Sequence, residues 1–193
     1  HVEYKDGTWS YTTVGNAVPT GLCGSGLIDL VAQLRKAELI DESGHLESGQ
    51  EIPGRFVLVP PEKSANGKGV YLTQKDIGEV QLAKAAIAAG ICLLMKQLSI
   101  TEEKIQTVYI AGAFGNYMNP KSAAMIGMLP ESLLERIVPV GNAAGEGAKI
   151  ALLNKRERQE MNQTVGRMEF VELAVSPEFQ DCFIDELCFP ELS

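Results

Sequence analysis

The chain has 193 residues, of which 45% are apolar and 22% charged, enough to build a sizeable core. That balance excludes a disordered tail, a collagen-like chain and a disulfide-rich peptide. Asp and Glu total 25 against 17 Lys and Arg, for a formal charge of −8, and the longest basic run is Lys155-Arg156-Glu157-Arg158, so no footprint for nucleic acid is present. No uninterrupted apolar run reaches the ~18 residues of a membrane span, and the opening HVEYKDGTWS has neither the basic nor the apolar region of a secretory signal. It also lacks an initiator Met, so the expectation is a piece of a longer, cytoplasmic protein. Cys23, Cys92, Cys182 and Cys188 form no CxxC pair, and His1 and His45 lie far from them in sequence. Metal sites need several ligands at short spacing, so no metal is expected on this segment and reduced thiols are the default.

In chain order, residues 2–14 alternate around Asp6-Gly7 and predict a hairpin. The glycine-rich stretch Gly21–Gly26 then runs into Leu27, Ile28, Leu30, Val31 and Leu34, the apolar spacing of a helix ending near Glu38. Residues 41–72 carry Pro53, Pro60 and Pro61 with a polar run at 62–69. They read as an inserted, protruding flap, with strands at Arg55–Val59 and Val70–Leu72. Its lysines, Lys63 and Lys68, suit an exposed segment able to change position.

Thr73 and Asp76 have the spacing of a capping box. Val80, Ala83, Ile87, Ile91, Leu94 and Leu98 then predict a long helix, and its all-apolar middle predicts burial on every side. Thr107–Ala111 and Ile137–Val140 read as short buried strands, each followed by glycines. Asn119-Pro120 reads as an N-cap and first helical residue, and Gly141–Gly145 leads into a helix through Leu153. A polar helix to about Val165, a strand at Glu169–Leu173 and a helix capped by Ser176-Pro177 complete the chain. Strand, glycine loop and helix recur in succession, which predicts an α/β fold with ligands beyond the carboxyl ends of the strands.

Three glycine-rich turns are candidate binding elements. Gly24, Ser25 and Gly26 open a helix, where N–H groups attract an anion, although the Lys of a Walker loop is missing. A tight structural turn accounts for the same residues, and Cys23 beside them reads as an inert thiol. Gly112, Ala113, Gly115 and Asn116 follow a strand but lack the third glycine of a dinucleotide fingerprint. Gly141 and Asn142 open a helix so rich in small residues that close packing explains it as well as a ligand does. Gln81 and Lys84 are polar exceptions on the apolar helix, and such groups need water or a partner.

Together and in this order the turns are specific. Tyr109–Gly115 is similar to the adenosine motif, and Gly141–Ala148 to the second connecting motif, of the superfamily of acetate and sugar kinases, heat-shock chaperones and actin. Gly21–Asp29, Ala111–Tyr117 and Val140–Lys149, with Leu72–Ile77 and Leu82–Ile87 between them, resemble one family within it: the reductive activators of corrinoid proteins. The likeness covers nearly the whole chain. It implies an actin-like (ribonuclease H-like) ATPase lobe over residues 1–193, with a mixed sheet, flanking helices and 41–72 as an inserted flap. It implies ATP and Mg²⁺ in the intact protein, and a [2Fe–2S] cluster in an amino-terminal part outside this sequence. The partner it implies is a corrinoid (cobalamin-binding) protein whose cob(II)alamin is reduced, and a homodimer is compatible with it. By the same resemblance Gln81 and Lys84 sit on a helix that reaches the adenine or ribose. The Asp-x-Gly-Thr phosphate loop of the superfamily is absent, and Asp6-Gly7-Thr8 lacks its intervening residue. The isolated segment is therefore expected to fold without appreciable ATPase activity. Two other readings remain open on the sequence: a docking module whose glycines are structural, and a lobe of a small-molecule kinase.

Overall fold

The computed structural model describes residues 1–47, 54–173 and 175–192, and at 113, 114 and 116 the backbone alone. Strands β1 (Val2–Lys5) and β2 (Thr8–Tyr11) pair antiparallel. Asp6 (φ 50°) and Gly7 (φ 77°) form the two-residue turn between them, left-handed at both positions as a tight hairpin requires. Trp9 of β2 stacks on Tyr4 and on Phe56, with ring centroids 4.7 Å apart in each pair. Separately, β1 packs on helix α1 (Gly24–Lys36), where Tyr4 N donates to Gln33 Oε1 at 3.0 Å; that helix buries Ile28, Leu30, Val31 and Leu34.

The 41–72 segment departs from the expected protruding flap. Strands β3 (Arg55–Val59) and β4 (Val70–Thr73) do form the predicted antiparallel hairpin. Phe56, Val59, Val70 and Leu72 are buried, however, and Phe56 and Leu72 belong to the central core with Ile40 and Leu46. Alternation on β4 (buried, exposed, buried) sends one face inward, so the hairpin is a layer of the core, with Arg55 and Tyr71 exposed on its other face and the connection at 62–68 exposed apart from the half-buried Ser64. Residues 48–53, including Pro53, lie outside the described ones.

Helix α2 (Gln74–Leu98) begins at the predicted capping box, in which Asp76 N donates to Thr73 Oγ1 and Thr73 N to Asp76 Oδ2. It ends at Ser99 in a left-handed cap. Burial is one-sided: Ile77, Val80, Lys84, Ala85, Ala89 and Leu93 face inward, whereas Leu82, Ile87, Leu94 and Leu98 are exposed. The reading of a helix buried all round is corrected here. By length and composition α2 could also cross a membrane, with a mean hydropathy of 1.6 over 18 residues, a signal that counting uninterrupted apolar runs overlooked. Its inward face nevertheless holds a buried Lys and packs on the carboxyl-terminal helix.

Strand β5 (Val108–Ala111) runs directly into α3 (Gly112–Tyr117), followed by α4 (Pro120–Met125), capped by Asn119 Oδ1 accepting from Lys121 N. Strand β6 (Ile137–Gly141) lies parallel to β5, with Ala111 opposite Gly141. Helices α5 (Ala143–Leu153) and α6 (Lys155–Val165) follow. Residues 169–173 form no strand, and Phe170 is 84% exposed, because no neighbouring strand edge reaches them among the described residues. Helix α7 (Pro177–Asp185) starts where Ser176 Oγ accepts from Phe179 N. Among the described residues the expected mixed sheet takes the form of three two-stranded sheets, two antiparallel and one parallel.

Candidate functional site

The parallel pair β5–β6 sets the geometry of the candidate site. A glycine with a left-handed backbone follows β5 and another ends β6, Gly112 at φ 96° and Gly141 at φ 61°, conformations that side chains with a Cβ disfavour. The register places these ends side by side. A Cβ built on either residue meets nothing within 4 Å, so their glycines serve the turn and leave open space above it. Gly115 is different. A Cβ there would collide with the Ile110 side chain, so this buried glycine lets α3 fold back onto its own strand. The backbone of Ala113 and Asn116 lies within α3.

At the β6 end, Asn142 caps α5 by accepting from Gly145 N at 3.0 Å. Gly145 is small for that reason, since a Cβ would stand 2.5 Å from Asn142 Nδ2. Gly147, two residues on, faces open space. Helix α5 buries none of its residues, and Leu152 and Leu153 are 80% and 84% exposed. Parallel strands are normally covered on both faces, yet Tyr109 and Val138 are exposed here. The site therefore lies on an open side of the chain.

Gly24, Ser25 and Gly26 lie elsewhere, in the first turn of α1. They line a cleft of about 980 Å³ with Cys23, Tyr11 and Tyr117. Cys23 occupies the N-cap position without a side-chain capping bond to a backbone N–H of the helix, which leaves first-turn N–H groups for other partners. Its thiol is held below its ordinary pKa, chiefly by the Ser25 hydroxyl 3.4 Å away. Tyr117, the last residue of α3, is what joins this cleft to the strand-end turn.

Gln81 and Lys84 are not brought to the glycine turns. Gln81 Nε2 donates to the carbonyls of Ser43 (3.0 Å) and Leu187 (3.1 Å). Lys84 Nζ donates to the Cys188 carbonyl at 2.6 Å and lies 3.7 Å from the Glu186 carboxylate. Burial pushes the Lys84 pKa down. Their polar atoms are thus engaged by backbone carbonyls of the chain itself.

Sequence reasoning passed over Asp29. It is buried on α1, accepts from Ser122 Oγ at 2.7 Å and Val2 N at 3.3 Å, and lies 2.7 Å from His1 Nδ1. The available signal was an acid set among Leu27, Ile28, Leu30 and Val31. Arg35 was missed for the same reason: it is buried and donates to the carbonyls of Ile40 and Pro190. Among the described residues no three His, Cys, Asp or Glu side chains gather as a ligand set, and no metal-dependent step is assigned to them.

Comparison with known proteins places the chain in a family. The chain is 34% identical over 200 residues to the corrinoid activation enzyme RamQ of Eubacterium limosum, covering 96% of this chain and 34% of that protein. It is 26% identical over 171 residues to the [Co(II) methylated amine-specific corrinoid protein] reductase of Methanosarcina barkeri, covering 88% and 29% respectively. A solved structure, the reductive activator for corrinoid, iron–sulfur protein, superposes with a TM-score of 0.88 at 37% identity, over 95% of this chain and 30% of that one. The chain thus spans about a third of the length of the relatives it matches. The profile of the family described as the C-terminal domain of RACo, the ASKHA domain, matches residues 1–193, and the chain belongs to that family.

Proposed function

We propose that this chain supplies the strand-end half of the nucleotide site in an ATP-dependent reductive activator of a corrinoid protein. The observation that carries the reading is the pair of adjacent left-handed glycines, Gly112 and Gly141, closing two parallel strands under open space. A turn without side chains admits a flat purine and ribose against the backbone. Gly112, Ala113, Gly115 and Asn116 would form one wall and Gly141 and Asn142 the other. The amino end of α5 adds a favourable field for phosphate oxygens. Gly24, Ser25 and Gly26 would line the approach from the neighbouring cleft.

ATP with Mg²⁺, when bound, supplies the free energy for an otherwise uphill electron transfer from a [2Fe–2S] cluster to cob(II)alamin. The residues here bind and orient the nucleoside, and the phosphate loop and the cluster belong to the remainder of the protein. The names of the relatives support the corrinoid partner. They favour this role over that of a small-molecule kinase. The docking reading has one observation of its own, the exposed Leu152 and Leu153 on α5.

Nucleotide titration of the full-length protein tests the proposal, with formation of cob(I)alamin on a corrinoid protein followed by absorbance. Gly112→Val should weaken ATP binding roughly tenfold or more, about 1.4 kcal/mol, and slow the ATP-dependent reduction with it. Unchanged affinity in a folded variant would remove the strand-end assignment.

A further inference from the structure

Helices α2 and α7 meet at two thiols that the nucleotide site does not use. Cys92 Sγ lies 3.0 Å from Cys182 Sγ, and these residues are 90 positions apart in sequence. Lys96, one turn beyond Cys92 on α2, places its Nζ 3.2 Å from Cys182 Sγ. Cys182 is 4% exposed and Cys92 half-buried. A cleft of about 780 Å³ opens on Cys92 and Lys96, with Met95 and Glu186 on its walls.

We propose that Cys92 and Cys182 form a reversible disulfide, made by exchange with a low-molecular-weight disulfide and promoted by the Lys96 ammonium. Buried cysteines usually behave as small apolar side chains. Three features set this pair apart. The sulfurs lie 3.0 Å apart, within about 1 Å of an S–S bond length. A cation stands beside them, which stabilises negative charge as it develops on sulfur during exchange. The cleft gives a dissolved disulfide access to Cys92. Burial raises the Cys92 pKa, and the contact with Cys182 raises that of Lys96, so the ammonium stays charged.

The exchange balances in two steps. Cys92 loses its proton and attacks the external disulfide, forming a mixed disulfide and releasing one thiol. Cys182 then loses its proton, attacks the Cys92 sulfur and releases the second thiol. The external disulfide gains two electrons and two protons, and the protein pair loses them. Lys96 touches the reacting sulfur without changing covalently.

The bond would tie α7 to the core helix. Just past α7, the carbonyls of Leu187, Cys188 and Pro190 accept from Gln81, Lys84 and Arg35. Closing the thiol pair therefore pins the segment that satisfies three inward-reaching side chains.

The test uses the full-length protein incubated with oxidised glutathione, blocked with N-ethylmaleimide, digested and analysed by mass spectrometry. The expected product is one peptide pair joined through Cys92 and Cys182, released by dithiothreitol and absent in Cys92→Ser. Lys96→Leu should slow its formation about tenfold, and Lys96→Arg should restore the rate. Recovery of both cysteines as maleimide adducts would overturn the proposal. So would a glutathione adduct on Cys92 beside a free Cys182. An unchanged rate in Lys96→Leu would overturn the part given to the cation.

Discussion

Lys84 of α2 donates a 2.6 Å hydrogen bond to the carbonyl of Cys188, 104 positions further along the chain. A lysine 1% exposed, in a helix otherwise apolar on that face, is retained because the carboxyl-terminal segment meets it there with a carbonyl and, at 3.7 Å, with Glu186. Lys84→Ala removes the buried stem and strands the carbonyl, and should cost about 2–4 kcal/mol in urea unfolding. Lys84→Met keeps the stem and should recover part of that. Neither should change the ATP affinity of folded protein, and a tenfold loss would return Lys84 to the nucleotide site.

Gly112 and Gly115 should separate binding from folding. Gly112→Ala strains a φ of 96° but meets open space, so its stability loss should stay near the ~1–2 kcal/mol of a left-handed backbone, with weaker ATP binding. Gly115→Ala pushes a methyl into Ile110 and should destabilise by about 1–3 kcal/mol. The same change in an Ile110→Ala background should cost less, and a double-mutant cycle reads that coupling.

Asn142 caps α5, and charge can separate that role from the one proposed for it at the nucleotide. Asn142→Ala should cost about 0.5–2 kcal/mol through the lost cap on α5. Asn142→Asp keeps an acceptor for Gly145 N, so the helix should persist. A new carboxylate beside bound phosphates should nevertheless weaken ATP binding several-fold, and less in high salt. Equal affinity for Asp and Asn would show that this residue only caps the helix.

Stability should fall in acid through three exposed carboxylates. A hydroxyl hydrogen bond is the main reason that each lies below its ordinary value: Ser43 for Asp41, Thr101 for Glu103 and Ser176 for Glu178. A depressed folded pKa means that the unfolded chain binds more protons in the window beneath the ordinary values of 3.8 and 4.5. Their contribution is therefore complete above about pH 4.5 and lost as pH drops through the folded values. Acid unfolding of Ser176→Ala should show a shallower slope, and an identical slope would refute the assignment.

Local chemistry decided the elements that the sequence already disclosed. The Asp6-Gly7 turn, the Thr73–Asp76 box, and the caps Asn119 and Ser176 each act within four residues, so their outcome is written in adjacent side chains. The glycine turns were legible too, because a left-handed strand end admits little else at Gly112 and Gly141. Spacing also gave the β3–β4 hairpin, but spacing cannot say which face finds a core, and Phe56 and Leu72 went inward.

Contacts across more than a hundred residues belong to the tertiary structure alone. Composition made α2 apolar on every side; the position of α7 and the core decided that Ile77 and Leu93 are buried while Ile87 and Leu98 are not. Gln81 and Lys84 looked like ligands for a nucleotide because polar groups on an apolar helix need partners. The sequence established that need, and the backbone carbonyls of residues 187 and 188 met it. Residues 169–173 have the composition of a strand, yet a strand exists only where another edge offers hydrogen bonds, and among the described residues none does.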